Sequence, residues 1–357
     1  MAKELWKGNE AVAEAAMRAG CRFFFGYPIT PQNEIPEYFA RHMPGRGGCF
    51  VQAESEVAAI NMVYGAAGAG ARVMTSSSSP GISLKQEGIS YIACAELPAV
   101  IVNMMRGGPG LGNIAPSQAD YYQATRGGGN GDYRTIVLAP ASIQEAADFT
   151  QEAFDIADEY RMPVVVLADG TIGQMMEAIE WRTPPRRELP AKDWATTGTR
   201  DARPHNVVNS LFLDVADCAA HNHKLQEKYA LVAERETRYE EYMAEDAEIL
   251  FVAFGTTARL ARAAVLKLRA QGIKAGLFRP ITLWPFPETT LHARVAMDDI
   301  KAVVVTEMSA GQMVDDVRIA VNGVKPVHFA GAAGGAMPMP AELAEVAERA
   351  LRQEGRL

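Results

Sequence analysis

The chain has 357 residues, of which 48% are apolar and 22% charged, with a formal net charge of -8 and a pI near 5.4. That length allows two domains whose cores need no disulfide support, and the composition is that of a globular protein. The acidic balance argues against a polyanionic partner such as nucleic acid, which selects for a basic patch or an excess of Lys and Arg.

The opening "MAKELWKGNEAVAEAAMRAG" has no apolar signal core behind its lysines. No later run is long enough to cross a bilayer, so a cytoplasmic protein without a membrane span is expected. The same opening predicts a helix from Asn9, read as its N-cap, to Gly20. Short apolar, β-branched or aromatic runs then alternate with Ala-rich helical stretches: "CRFFFGY", "GCFVQA", "ARVMT", "PAVIVNMM", "RTIVLAP" and "RMPVVVLAD". This is the pattern of a parallel sheet wrapped by helices. After about residue 180, "WRTPPRRELPAKDWATTGTRDARP" is rich in Pro and charge and reads as an extended linker. The mixed charges of "HNHKLQEKYALVAERETRYEEYMAED" suit a polar helix with a solvated or partner-facing surface. Alternation restarts at Ala247 and continues through "IKAVVVTEMSAGQMVDDVRIAV", a second α/β unit of about four strands. The expected organisation is an α/β chain with a parallel-sheet domain over 1–182, a linker with a polar helix over 183–246, and a smaller α/β domain over 247–357.

Several chemistries are unsupported. The four cysteines, Cys21, Cys49, Cys94 and Cys218, form no CxxC pair. His221 and His223 are the only neighbouring histidines and have no carboxylate or thiol at metal spacing, so no metal site is expected on this chain. "GGPGLGN" at 107–113 follows a strand, but its glycines are not spaced as GxGxxG, and no Walker loop is present.

In parallel α/β sheets ligands collect at the carboxyl ends of the strands. Three strands here end in unusual residues: one in Tyr27-Pro28-Ile29-Thr30-Pro31, one in "QAESE" with Glu54 and Glu56, and one in Arg106 before a Gly-rich loop. Each has a plain structural alternative. Thr30 before Pro31 suits a helix start, with a hydroxyl N-cap and proline at N1. Glu56 opens a helix, where a carboxylate gains from the macrodipole whether or not it reacts. Arg106 is either a surface cation or a bidentate fork for a carboxylate. The glycines Gly65, Gly68 and Gly70 read as close-packing positions. "TSSSSPG" at 75–81 reads either as a ligand-facing strand end or as a polar turn with Ser79 capping the next helix.

Three longer stretches carry a resemblance. "GYPITP", "QAESEVAAINMVYGAAGAGARVMTSSSSPGISLKQEGISY" and "VIVNMMRGGPGLGN" resemble the alpha subunit of 2-oxoacid:ferredoxin oxidoreductases, and "VAFGT", "FRPITLWPFP" and "VVVTEMSAGQM" resemble that family's transketolase C-terminal-type domain. The resemblance implies a pyrimidine-type thiamine diphosphate-binding domain followed by a transketolase C-terminal-like domain. It implies CoA-dependent oxidative decarboxylation of a 2-oxoacid, with the cofactor shared with a beta subunit that supplies the diphosphate site and its Mg2+. "ADG" at 168–170 lacks the Asn that follows the diphosphate motif, so this chain is half of an active site. A gamma subunit, a ferredoxin-like delta subunit carrying iron-sulfur clusters, and ferredoxin are the further implied partners, in a dimer of heteromers.

Carried over by position, Glu56 matches the acid that hydrogen-bonds the aminopyrimidine, where a carboxylate favours the imino tautomer that deprotonates the cofactor's C2. Thr30 and Arg106 match the residues that hold the substrate carboxylate, and Tyr27, Pro28 and Ile29 belong to the cofactor-facing turn. The motifs resemble most closely the enzymes for branched-chain 2-oxoacids such as 3-methyl-2-oxobutanoate. A 2-oxoglutarate enzyme is the alternative, with Lys85 or Arg126 as the extra cation for the distal carboxylate. A non-redox, transketolase-like thiamine enzyme subunit and a non-catalytic assembly subunit are alternatives of other classes.

Overall fold

The computed structural model describes residues 3–185, 187–199 and 201–355. The first part of the chain runs through β1 (Glu4–Lys7), α1 (Gly8–Arg18), β2 (Phe23–Gly26), α2 (Glu34–His42), β3 (Cys49–Gln52), α3 (Glu56–Gly68), β4 (Val73–Ser77) and α4 (Ser79–Cys94). It continues with β5 (Ala99–Met105), α5 (Tyr121–Thr125), β6 (Ile136–Leu138), α6 (Ile143–Tyr160), β7 (Pro163–Asp169), α7 (Gly170–Gln174) and β8 (Met176–Ile179). The six strands expected from the sequence, β2 to β7, are all present and pair in parallel in the order β6-β7-β5-β4-β2-β3. Every residue of β5 and β7 is buried, as a sheet covered by helices on both faces requires.

Local chemistry explains most boundaries, and corrects one. Gly20, at φ +84°, sits just past α1 in the left-handed conformation that stops a helix. Asn9 does not cap α1: the helix begins at Gly8, and the Asn9 side chain turns inward to donate to the Pro31 carbonyl at 2.7 Å and to Glu34 Oε2 at 2.7 Å. The demand of the neighbouring turn outweighs the cap preference.

Among the described residues of 183–214 there is no helix or strand, and part of the segment meets the end of α3. There Thr196 donates its N–H and its hydroxyl to the Gly68 carbonyl at 2.9 and 3.1 Å, and Gly70, at φ +82°, leaves room for Ala195. The polar helix is α8 (Val215–Glu236), longer than its most charged part; Leu225, Tyr229 and Val232 make a narrow apolar stripe that docks on the first domain's core.

The second part contains β9 (Tyr239–Tyr242), β10 (Ile249–Val252), α9 (Gly255–Ala270), β11 (Ala275–Pro280), β12 (Thr282–Trp284), α10 (Glu288–Val295), β13 (Ala302–Glu307), α11 (Met313–Val321), β14 (Val327–Gly331) and α12 (Pro340–Gln353). Its sheet has five strands in the order β14-β13-β10-β11-β9, with β9 antiparallel at one edge. The two sheets exchange chain: β9 precedes Ala247 yet belongs to the second sheet, whereas β12 leaves it to pair with β6 of the first. Pairings between segments this far apart in sequence leave no local signal.

The loop 113–126 is clamped between the two sheets by fully buried Gln118. Its N–H donates to the Met308 carbonyl at 2.8 Å, its Nε2 to the Phe254 carbonyl at 2.8 Å, and its Oε1 accepts from Met308 N and the Thr257 hydroxyl, both at 3.0 Å. Buried Tyr121 donates to Asp316 Oδ2 at 2.5 Å from the same loop. Because truncation leaves buried backbone groups unpaired, Gln118→Ala is expected to destabilise the protein by about 1–3 kcal/mol. A urea midpoint equal to that of the parent chain would show that the clamp contributes nothing.

Candidate active site

Ser55 caps α3, its hydroxyl accepting from Ala58 N at 3.1 Å, and this puts Glu56 in the first turn, 6% exposed. The Glu56 carboxylate is turned onto the first turn of α4. A Cβ on Gly81 would stand 2.6 Å from Glu56 Oε1 and 2.1 Å from Ser77 Oγ, so no larger residue fits between α3 and α4 at this level. Two turns further along, a Cβ on Gly88 would lie 2.5 Å from Ile60 Cγ2. The closest helix contacts are thus made by the glycines of α4 rather than by Gly65 or Gly68, around which a Cβ meets nothing closer than 3.8 Å.

Arg106 ends β5 and is 9% exposed. Its Nη1 donates to the Thr30 carbonyl at 2.9 Å and its Nη2 to the Leu111 carbonyl at 3.0 Å, while Nε is buried without a partner. The structure therefore brings Thr30 and Arg106 together. Arg106 N also donates to Ser79 Oγ at 3.0 Å, and Ser79 Oγ donates to Asp120 Oδ2 at 2.6 Å. Ser79 is thus the first residue of α4 and not its cap; Ser78 holds the cap position and makes no side-chain bond there. Burial raises the Asp120 carboxyl above its ordinary range, partly offset by the bonds from Ser79 and Asn103.

Thr30 is likewise not a helix cap. The peptide to Pro31 is cis, and α2 starts only at Glu34, with Asn33 before it. The turn is held instead by side chains from elsewhere. Gln32, fully buried, donates to the Tyr27 carbonyl at 3.3 Å and accepts from Ser76 Oγ at 2.5 Å, while Asn9 and Gln174 each donate to the Pro31 carbonyl at 2.7 Å. Tyr27 and Pro28 are exposed at the tip, and Ile29 and Thr30 are half-buried. Asn33 Nδ2 donates to the Thr30 hydroxyl at 3.3 Å.

Between Glu56 and Arg106 lies a set of buried polar atoms without partners: Thr75 Oγ1, Ser77 Oγ and Ser78 Oγ at the end of β4, Asn103 Oδ1 on β5, and Lys85 Nζ on α4. Buried polar groups are nearly always paired, so a cluster of unpaired ones at a strand-end rim fits a polar ring with several acceptors and donors, as an aminopyrimidine is. Among the described residues no group of three or more His, Cys, Asp or Glu could hold a metal. Asp169 of "ADG" is occupied as the cap of α7, accepting from Thr171 N at 2.8 Å. Gln32 and Asp120 carried no sequence signal, because each works through a partner distant in sequence, whereas Ser79 and Gly81 fall in the 75–81 stretch, which reads in the sequence either as a ligand-facing strand end or as a polar turn.

The family model described as "Pyruvate flavodoxin/ferredoxin oxidoreductase, thiamine diP-bdg" matches residues 14–244, and that described as "Pyruvate:ferredoxin oxidoreductase core domain II" matches 247–343. The chain belongs to the 2-oxoacid:ferredoxin oxidoreductase family. It is 53% identical to ketoisovalerate oxidoreductase subunit VorB of Methanothermobacter thermautotrophicus, over 98% of this chain and 97% of that protein. It is 37% identical to 2-oxoglutarate synthase subunit KorA of Methanothermobacter marburgensis, over 94% of this chain and 96% of that one. Among solved structures, 2-oxoglutarate:ferredoxin oxidoreductase from Magnetococcus marinus, with 2-oxoglutarate, coenzyme A and succinyl-CoA bound, superposes with a TM-score of 0.88 at 28% identity. That match covers 98% of this chain, which spans 65% of the solved one. An inactive β4 tetramer of a split-gene transketolase, at 16% identity and a TM-score of 0.61 over 98% of this chain and 99% of its own, shares the fold.

The two cations considered for a second carboxylate differ in setting. Lys85 is fully buried, and Arg126 pairs with Asp316 at 2.8 Å and lies over the Tyr122 ring. Gly81→Ala should displace Glu56 and lower kcat at least tenfold in a complex that still assembles, whereas Gly65→Ala, with open space around its Cβ, should leave turnover unchanged. Equal rates for the two variants would show that the Gly81 approach has no bearing on the site.

Proposed function

We propose that this chain is the alpha subunit of a 2-oxoacid:ferredoxin oxidoreductase that converts 3-methyl-2-oxobutanoate and coenzyme A to the acyl-CoA and CO2. It binds the pyrimidine half of thiamine diphosphate, and a beta subunit supplies the diphosphate site with Mg2+. Gamma and ferredoxin-like delta subunits hold iron-sulfur clusters that pass electrons to ferredoxin, in a cytoplasmic dimer of heteromers. The observation that carries the reading is the buried Glu56 carboxylate set among unpaired hydroxyls at the strand ends.

The thiamine cofactor supplies the carbanion chemistry at the keto carbon. Glu56 holds a proton-sharing contact at the pyrimidine ring nitrogen, which lets the opposite amino group act as a base. Arg106 has five N–H donors and uses two on backbone carbonyls, leaving the unpartnered Nε–H and one N–H on each Nη for the substrate carboxylate. Thr30, held against Arg106, adds a hydroxyl on the same side. Tyr27, Pro28 and Ile29 line the cofactor's approach as the exposed tip of the turn.

Two observations support a monocarboxylate substrate. Lys85 and Arg126 are both withdrawn from the role of a second cation. The ketoisovalerate relatives are 53% and 54% identical, against 37% to 38% for full-length 2-oxoglutarate synthase subunits of methanogens and Archaeoglobus fulgidus.

The test is anaerobic viologen reduction by the purified complex with thiamine diphosphate, coenzyme A and a panel of 2-oxoacids. Fastest turnover is expected with 3-methyl-2-oxobutanoate; preference for 2-oxoglutarate would overturn the substrate, and no reduction with any 2-oxoacid would overturn the reaction. Glu56→Gln should cost about 10²–10⁴ in kcat with assembly intact, since general acid–base groups contribute that much. Arg106→Lys should lower kcat/KM about tenfold to a hundredfold, mainly through KM, as expected when a charged fork loses its geometry. An unchanged KM would remove Arg106 from the carboxylate site.

A further inference from the structure

The loop that follows Arg106 carries one long side chain. From Gly107 to Gly112 it runs Gly-Gly-Pro-Gly-Leu-Gly, so Leu111 stands alone among residues with little or nothing to pack. The loop closes tightly on itself: Gly107 N donates to the Ala115 carbonyl at 2.9 Å, and Asn113 N to the Gly107 carbonyl at 2.9 Å. A Cβ on Gly112, at φ +54°, would stand 1.7 Å from the Gly107 carbonyl oxygen, so the turn needs glycine there. Backbone alone therefore fixes where Leu111 sits, and its side chain is left 79% exposed.

Leu111 sits beside the arginine. Arg106 Nη2 donates to the Leu111 carbonyl at 3.0 Å. A residue's Cα lies about 2.4 Å from its own carbonyl oxygen, which keeps the Leu111 Cα within about 5.5 Å of that guanidinium nitrogen. By bond lengths and angles, the methyl groups of 3-methyl-2-oxobutanoate lie within about 4 Å of its carboxylate carbon. A carboxylate held on the fork of Arg106 thus brings the branched carbons into the range of a leucine side chain carried at that Cα. Ile114, also exposed at 65%, is tied instead to the second domain through its neighbour Asn113, which donates to the Gly334 carbonyl at 2.9 Å.

We infer that Leu111 is a specificity-determining residue, the apolar wall against which the branched carbon skeleton of the 2-oxoacid packs while Arg106 holds its carboxylate. This deepens the proposed function and rests on Arg106 having the role given there. Packing the substrate's methyl groups on Leu111 removes apolar surface from water on both partners. The contact discriminates among 2-oxoacids. Leucine offers neither charge nor hydrogen bond to a distal carboxylate, and pyruvate presents it with a single methyl. A substitution at Leu111 keeps the backbone carbonyl that orients Arg106, so the carboxylate contact and the side-chain contact can be varied separately.

The experiment compares kcat/KM for 3-methyl-2-oxobutanoate, pyruvate and 2-oxoglutarate in the anaerobic viologen assay, with each variant in the assembled complex. Leu111→Ser should lower kcat/KM for 3-methyl-2-oxobutanoate about tenfold more than for pyruvate, the loss expected when an apolar contact with added methyl groups is removed. Leu111→Met, which keeps the apolar reach, should hold the parent ratio, and so should Ile114→Ser. An equal loss with all three acids would mark Leu111 as a structural or subunit-docking residue and overturn the inference. An unchanged ratio in Leu111→Ser, or the same shift in Ile114→Ser, would overturn it as well. The underlying reading fails differently: an unchanged KM in Arg106→Lys removes the carboxylate site itself. A raised KM in Arg106→Lys with an unchanged ratio in Leu111→Ser removes only the role of Leu111.

Discussion

The arrangement depends on how closely α3 and α4 approach at Gly81. Two helices ordinarily pack with 8–10 Å between axes, and a buried carboxylate between them would be excluded by any Cβ. With hydrogen in place of a methyl, Glu56 occupies that space beside Ser77, and the same turn of α4 meets Arg106 through Ser79. One helical turn thereby fixes the separation of the acid from the arginine. Neither residue holds its place through long flexible contacts: Glu56 is set by the Ser55 cap, Arg106 by its backbone at the end of β5 and by two carbonyls.

The second constraint comes from the other domain. The loop that follows Arg106 passes over the strand ends, and Gln118 ties it to β10 and β13 through their connecting backbone. Asn113 donates to the Gly334 carbonyl at 2.9 Å further along. The C-terminal unit thus shapes a rim whose chemical residues come wholly from the first domain. The exchange of β9 and β12 between sheets makes that support covalent as well as packed.

Much of this was legible in the sequence. Alternating apolar runs marked β2 to β7 correctly because parallel strands covered by helices are rich in β-branched, aromatic and other apolar residues, and the contact of Arg106 with Thr30 fits their places at strand ends. Local rules failed where a distant partner outweighed them. Asn9 and Thr30 had the chemistry of caps, but Asn9 is engaged by the Pro31 carbonyl 22 residues away, and Thr30 lies in a turn that ends before α2 begins at Glu34. Lys85 entered as a possible cation for a distal carboxylate because its helix face carries no marker of depth; only the fold shows it fully buried. The glycine signal was real but misplaced, since Gly65 and Gly68 stand out by repetition whereas Gly81 and Gly88 matter through what faces them.

Charge balance at the rim connects these features to the proposed substrate. Glu56 and Lys85 offset one another in the buried layer, and burial pushes Asp120 toward its neutral form. Arg106 alone is answered by backbone carbonyls rather than by a carboxylate of this chain. Carbonyl dipoles orient a guanidinium without neutralising it, so the site presents one unmatched positive charge. A single carboxylate on a 2-oxoacid completes that balance. A second carboxylate would enter a partly desolvated space whose remaining cations are already committed, at a cost that burying an unpaired charge makes several kcal/mol. The proposed apolar side chain on the substrate is consistent with the burial of Lys85 and the pairing of Arg126 with Asp316.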